Sequence, residues 1–238
     1  MSNELNRHVG IHQPNFLPWL GYFDKIVKSD VFLFLDDVQI PKKGSSWSNR
    51  VRVLIGGRPQ WVTSPISRED GYQILKDVSF SEPKWHRTIE ETLRMAYSRA
   101  SHFEETMPLL QSIFSYETSN LCDWNMNSIY KILSHLSIVI PEIHRSSDFG
   151  VESSATQRLI ELIREVDGTT YLCGAGSTGY LDPNLFAESN LELRYINFKE
   201  TQYPQLNTSE FHAGLSIIDV LMMNGRTATA DLLLSVRE

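Results

Sequence analysis

The chemically most capable residues near the start of the chain crowd into Gly10-Ile-His-Gln-Pro-Asn15. An imidazole there can move a proton or hydrogen-bond a phosphate or carbonyl. The neutral amides of Gln13 and Asn15 can orient a polar substrate. A structural role competes, in which His12 caps a loop while Gln13 and Asn15 satisfy backbone groups. Asp36 and Asp37 form a second candidate pair. Two carboxylates can serve as general base and acid, or hold a cationic substrate or a metal through oxygen ligands. Only one of two adjacent strand-end residues points into a given cleft, and Asp36 is the better placed, because Asp37 begins the exit loop. The third group is basic: Lys42, Lys43, Arg50 and Arg52, with Asn49 beside them. Arg50 and Arg52 alternate on a strand and share a face, so their guanidinium groups could clamp a phosphate or carboxylate. A charged edge that deters aggregation is the plain alternative. Finally, Gly174-Ala-Gly-Ser-Thr-Gly179 carries Ser177 and is followed by Tyr180. Its glycines permit close backbone approach to an anion, but it lacks the lysine and spacing of a phosphate-binding P-loop.

Several elements must position these residues. His8–His12 reads as a strand that runs into Gln13-Pro14. Leu20, Phe23 and Val27 recur at helical spacing after Pro18. Val31-Phe-Leu-Phe-Leu35 is a continuous apolar run, as in a strand buried on both faces. Strand, loop, helix and strand make a parallel βαβ unit, whose strands end at one edge of the sheet. Val51–Ile55 and Pro59–Thr63, joined by Gly56-Gly57, read as a hairpin. Residues 83–145 read as a helical insertion. Helical spacing marks Trp85 to Ala96, a second helix after Pro108, and Leu121 to Leu136 before Pro141. Ser146-Ser147-Asp148 reads as a polar linker. The α/β alternation then resumes with a helix at Thr156–Arg164 closed by Gly168, strands at Thr169–Cys173 and Leu191–Phe198, and a helix from Leu215 to Leu234 broken near Gly225. The expectation is a single α/β domain over residues 1–238. It has three layers, a mainly parallel sheet with helices on both faces, and an inserted helical subdomain.

The 238 residues carry 22 Lys and Arg against 29 Asp and Glu, a formal net charge of −7. That balance argues against bulk capture of nucleic acid. With only two cysteines, Cys122 and Cys173, there is neither a disulfide framework nor a metal-ligand spacing, and Cys173 reads as a packing residue. No apolar run approaches a membrane span, and the amino terminus has no signal-peptide core. A cytoplasmic location follows as an expectation. Trp19, Tyr22, Trp47, Trp61 and Trp85 read mostly as core. The sequence specifies neither a cofactor nor an oligomeric state.

The segment Ile11-His-Gln-Pro-Asn-Phe-Leu-Pro-Trp-Leu-Gly-Tyr-Phe-Asp-Lys-Ile26 resembles the WbqC-like protein family. So do Phe34-Leu-Asp-Asp-Val-Gln39, Asn49-Arg50, Lys84-Trp85-His86, Tyr171-Leu-Cys-Gly174, Tyr180-Leu-Asp182 and Leu215-Ser-Ile-Ile-Asp219. Members of that family resemble products of surface-polysaccharide (O-antigen) gene clusters. The resemblance implies an enzyme of polysaccharide precursor biosynthesis, a transferase or amide-forming ligase acting on a sugar nucleotide or related phosphorylated substrate. The alternative is a non-catalytic ligand-binding or assembly module. In the enzymatic reading His12 transfers a proton and Asp36 is a base or orienting carboxylate. Lys43 and Arg50 hold phosphate or carboxylate, and Gln13, Asn15 and Tyr22 position the substrate with Asp37, Asn49, Ser177 and Tyr180. The opening is also similar to that of adenylyl- and cytidylyltransferases with a His-x-Gly-His loop. Trp19 and Tyr22 replace the two histidines, so His12 or Asn15 would have to substitute.

Overall fold

The computed structural model describes residues 6–68, 73–174 and 181–235. In chain order the elements are β1 (His8–His12), α1 (Leu20–Val27), β2 (Val31–Phe34), β3 (Arg50–Ile55) and β4 (Arg58–Thr63), then α2 (Trp85–Tyr97), α3 (Phe103–Phe114) and α4 (Leu121–His135). The chain continues with β5 (Glu142–Arg145), α5 (Ala155–Glu165), β6 (Thr170–Gly174), α6 (Pro183–Glu188), β7 (Glu192–Ile196) and α7 (Ile217–Leu234). Two compact units result. One comprises residues 1–13, 24–37 and 140–199; the other comprises 14–23, 38–139 and 200–238, and the division runs through α1.

The first unit is a three-layer α/β arrangement built on a five-stranded, wholly parallel sheet in the order β5-β2-β1-β6-β7. All four residues of β2 are buried, as an uninterrupted apolar run between two neighbouring strands requires. Val9, Ile11, Val31, Leu33, Tyr171 and Cys173 point to one face and pack on Leu159, Ile160 and Ile163 of α5 and Phe186 of α6. Two elements depart from the sequence expectation. Glu142–Arg145, inside the segment read as helical, is an edge strand, too short and too polar to announce itself. Helix α6 separates two strands that read as consecutive. Its start is signalled by Asp182, whose side chain accepts from the Asn184 amide at 3.0 Å, and by Pro183 in the first turn.

The second unit holds the β3–β4 hairpin, whose turn residues Gly56 and Gly57 have φ of 60° and 77° as a tight hairpin turn demands. Helices α2, α3, α4 and α7 complete it. Helix α3 starts at Phe103, not after Pro108 as expected. The carbonyl that Pro108 leaves without a helical donor is that of Glu104, in an exposed first turn where water can serve it. The centre is aromatic: Trp124 stacks on Phe16 at 5.0 Å and meets Trp85 at 5.1 Å. Asn125 Nδ2 donates to the carbonyls of Pro14 (2.9 Å) and Ser48 (2.7 Å), tying two loops to α4. Asp219 accepts from the Tyr97 and Tyr203 hydroxyls at 2.7 and 2.8 Å. Burial raises the Asp219 carboxyl above the usual range, and those two hydrogen bonds oppose the rise. Helix α7 is interrupted at Gly225, with φ of 73°, as its Asn-Gly pair suggests. Among the described residues no helix is long and apolar enough to cross a membrane.

Gly168 has a different role from the helix stop its position implies. The left-handed residue after α5 is Asp167, with φ of 52°. A β-carbon on Gly168 would lie 2.3 Å from Val9 Cγ2 and 2.8 Å from Ile163 Cγ2. Its absence is what lets α5 close on β1. Gly168→Ala should therefore lower unfolding free energy in urea by about 2 kcal/mol or more, as overpacking does. Asp167→Gly should stay within about 1 kcal/mol. The reverse ranking would restore the capping role to Gly168.

Candidate functional site

The order of the sheet locates a crevice. The chain steps outward from β1 to β2 to β5, then returns to the other side of β1 and continues through β6 to β7. Ligands of open α/β sheets bind beyond the carboxyl ends of the strands where that direction reverses. Here the reversal lies between β1 and β6. The ladder between them ends at Gly10 and Leu172. Beyond that point β1 stays paired with β2 through His12, and β6 with β7 through Gly174, so the two strands part.

The side chain that enters this opening is Lys25 of α1. Its ammonium donates to the Ile11 carbonyl at 2.7 Å and lies 5.3 Å from the centre of the Tyr171 ring. It thus touches both parted strands. Only 6% of the residue is exposed. Burial favours the neutral amine and lowers the Lys25 pKa to about 8; the Cys173 thiol nearby acts the other way. Among the described residues its one hydrogen-bond acceptor is Ile11, although an ammonium carries three donors.

His12 closes β1 and is half-buried. Its Nδ1 lies 3.1 Å from the Gln13 carbonyl. That contact places the proton on Nδ1 and makes Nε2 the lone-pair nitrogen. Desolvation, then the Lys25 charge, lower its pKa to about 4, against a smaller upward pull from the Gln13 carbonyl. At neutral pH the imidazole is uncharged beside a largely charged lysine. Such a pair can hold an anionic or carbonyl oxygen on Lys25 while His12 accepts or relays a proton.

Asp36 follows β2, the neighbour of β1, so it shares the carboxyl edge with His12. It is fully buried and heavily bonded. Its oxygens accept from the Ser147 amide (3.1 Å) and Ser147 Oγ (2.9 Å), and its own amide donates to Ser146 Oγ at 3.2 Å. Asp37 accepts from Ser146 Oγ at 2.5 Å and pairs with Arg158 of α5 at 2.5 Å. The two acids thus fasten the end of β2 to the turn after β5. Asp36 has the environment of a positioning carboxylate rather than of a base waiting for a proton.

The other expected residues belong to the second unit or escape description. Asn15 is 4% exposed, and its Oδ1 finds no donor among the described residues. Tyr22 is buried, with a pKa raised well above that of a free phenol by desolvation. Asn49 bridges the Ser46 amide and the Ser64 carbonyl at 2.9 and 3.1 Å, a loop-holding arrangement. Lys43 is exposed. Arg50 and Arg52 share a face as their alternation implies, with guanidinium carbons 4.1 and 5.9 Å from the Trp61 ring centre. Trp47 and Trp61, expected in the core, are each 45% exposed and meet edge to face. Ser177 and Tyr180 lie outside the described residues. Cys122 and Cys173 are buried and are not joined in a disulfide.

Lys25, Ser146, Ser147 and Arg158 were not singled out from the sequence. Lys25 had a signal: a cation embedded in Leu20-Gly-Tyr-Phe-Asp-Lys-Ile-Val27, on a helix too short and apolar to have a wide solvent face. Ser146 and Ser147 carried none beyond polarity.

The lowered His12 pKa makes stability depend on pH. Unfolded His12 takes up its proton near pH 6.5, and folded His12 only near pH 4. Between those values the unfolded chain binds more protons, so this residue's contribution grows as pH rises and vanishes below pH 4. The full contribution is about 3 kcal/mol. Urea unfolding of the wild type and His12→Asn at stepped pH should show curves that diverge across that window. Parallel curves would mean that the folded imidazole titrates normally.

The WbqC-like protein family matches residues 13–231. The uncharacterized protein Rv1507c of Mycobacterium tuberculosis is 30% identical over 225 residues, covering 93% of this chain and 96% of the relative. No solved structure matches. The family match takes in Lys25, the Asp36–Asp37 pair, Ser146–Ser147 and β6. The chain belongs to the WbqC-like protein family.

Proposed function

We propose that the protein is an enzyme of surface-polysaccharide precursor biosynthesis, a transferase or amide-forming ligase acting on a sugar nucleotide or related phosphorylated compound. The observation that carries this reading is Lys25: a buried ammonium bound to one carbonyl, at the place where β1 and β6 part. A protein gains little stability from burying a lone cation, because the lost hydration outweighs one hydrogen bond and one ring contact. A phosphate or carboxylate oxygen entering the opening would supply the missing countercharge.

In this reading Lys25 holds the anionic or carbonyl oxygen next to the bond being made. The amine or hydroxyl that attacks bonds to the activated atom of the donor and gives its proton to Nε2 of neutral His12, while the bond from that atom to the phosphate or nucleotide breaks and the departing phosphate oxygen keeps the electron pair. Asp36 and Asp37, locked to Ser146, Ser147 and Arg158, fix the neighbouring strand end and keep the opening in shape. Gln13 orients His12 through its carbonyl. No step requires Cys173.

Calorimetry with a panel of nucleotides and sugar nucleotides tests the proposal, run on the wild type and on Lys25→Met. Methionine fills the same volume without charge, so stability should change by no more than about 1 kcal/mol in either direction. Affinity for phosphorylated ligands should fall about 100-fold, equivalent to some 3 kcal/mol. A folded Lys25→Met that binds as the wild type does would remove the lysine from the site. Wild-type protein that binds anionic ligands but turns none of them over would favour a ligand-binding module.

A further inference from the structure

The loop at residues 41–49 and the β3–β4 hairpin both belong to the second unit. Together they hold five of the chain's 22 Lys and Arg and none of its 29 Asp and Glu. In a chain of net charge −7 that is a segregated positive surface. The five are Lys42, Lys43, Arg50, Arg52 and Arg58. Among the described residues none of them forms an ion pair. Arg52 donates to the Ala213 carbonyl at 3.0 Å, and its charge opposes the rise that burial imposes on the Glu200 carboxyl. The Arg50 guanidinium lies over the Trp61 ring, which leaves its N–H edges for other partners. Lys42, Lys43 and Arg58 are exposed. The Arg68 side chain donates to the carbonyls of Pro41 and Gly44 and so ties down the loop that carries the two lysines.

Two indoles stand in the same surface. Trp47 and Trp61 are each 45% exposed, and their rings lie 5.2 Å apart. Arg50, Arg52 and Trp61 share one face of the hairpin; Val51, Val53 and Val62 are buried on the other. The tryptophan face is therefore the outer one. Adjacent exposed aromatic rings of this size are uncommon on a protein surface and mark a place of contact.

We infer that this surface docks on an anionic lipid bilayer, with the two indoles at headgroup level and the cations on lipid phosphates. Tryptophan favours the membrane–water interface because its ring is apolar and its N–H polar. Clustered Lys and Arg beside it add attraction to acidic headgroups. An aromatic contact and a polybasic patch are two signals of the kind that membrane attachment takes. Other occupants fit less well. A nucleobase needs an open ring face, and Arg50 at 4.1 Å already covers one face of Trp61. Protein interfaces are depleted of lysine, whereas Lys42 and Lys43 are both exposed here. A bilayer asks only for one sign of charge and for outward aromatic rings. This inference does not rest on the reading of Lys25, and the two can fail separately.

Co-sedimentation of the full chain with vesicles tests it. The probes are vesicles of equal parts phosphatidylglycerol and phosphatidylcholine, and vesicles of phosphatidylcholine alone. The wild type should bind the anionic vesicles about 10-fold more tightly or better. That advantage should vanish as salt rises from about 0.1 M to about 1 M, which shortens the Debye length from about 10 Å to about 3 Å. A Lys42→Gln, Lys43→Gln double variant, altered only in an exposed loop, should bind about 10-fold more weakly. Lipid with a doxyl group near the headgroup should quench part of the wild-type tryptophan emission. It should quench a Trp47→Ser, Trp61→Ser variant far less, since Trp19, Trp85 and Trp124 are more enclosed. Should that variant fail to fold, the lysine variant and the two lipid compositions decide. Equal binding to both kinds of vesicle, or to neither, would overturn the inference. So would an affinity indifferent to the lysine variant, or quenching unchanged by loss of both indoles. Saturable binding of a single-stranded oligonucleotide that the tryptophan variant abolishes would assign the surface to nucleic acid instead. A lipid-free dimer that the same variant dissolves would assign it to a second copy of the chain.

Discussion

Burying an ammonium group at the edge of a parallel sheet constrains everything around it. Lys25 can sit where it does only because β1 and β6 separate after Gly10 and Leu172, leaving the Ile11 carbonyl without a β6 partner. The lysine takes that carbonyl, lies against the Tyr171 ring, and adds its charge to the desolvation that keeps His12 neutral. Each of these depends on the same few ångströms of backbone. The cost of holding a cation there is offset in part by the carbonyl and the ring.

The rest of the first unit keeps that opening in place. The sheet must present β1 and β6 side by side at their amino-terminal ends, which requires α5 to pack closely on β1. Gly168 permits this by lacking a β-carbon beside Val9. On the far side of β1, the end of β2 is fastened to the turn after β5 through Asp36, Ser146 and Ser147. Arg158 extends the fastening from Asp37 to α5. A carboxylate with this many donors organises structure. The second unit is ordered by other means, an aromatic cluster about Trp124 and buried polar ties at Asn125 and Asp219.

Much of the fold was legible in the sequence because its strands are apolar and its helices periodic. Val31–Phe34 could only be a strand buried on both faces, and with His8–His12 and the short helix between them it specified a parallel βαβ unit. The signals failed where an element is short or polar. Strand β5, Glu142-Ile-His-Arg145, has one aliphatic residue and lies at the sheet edge, so no pattern distinguishes it from a loop. Of the site, His12 and Asp36 could be placed on one edge from the βαβ rule. Lys25 could not, because its importance comes from where β6 lies, more than 140 positions later in the chain. Likewise the pairing of Asp36 with Ser146 joins residues 110 apart. Local spacing carries no information about such contacts. The exposure of Trp47 and Trp61 was missed for the opposite reason, since tryptophan is usually buried, and the cover that Arg50 and Arg52 give Trp61, with Trp47 against the same ring, exists only in the folded hairpin.

The claim that Lys25 is a buried, countercharge-seeking group is tested most directly by titrating its side chain. With 13C-labelled lysine, the Lys25 Cε resonance, assigned through Lys25→Met, can be followed with pH in the free protein and in the presence of pyrophosphate. The account predicts a midpoint near pH 8 in the free protein, set by burial, and a rise when the anion binds and stabilises the charged form. A midpoint at the ordinary lysine value of about 10.4, unmoved by the anion, would show a solvated lysine with no part in binding and would contradict the account.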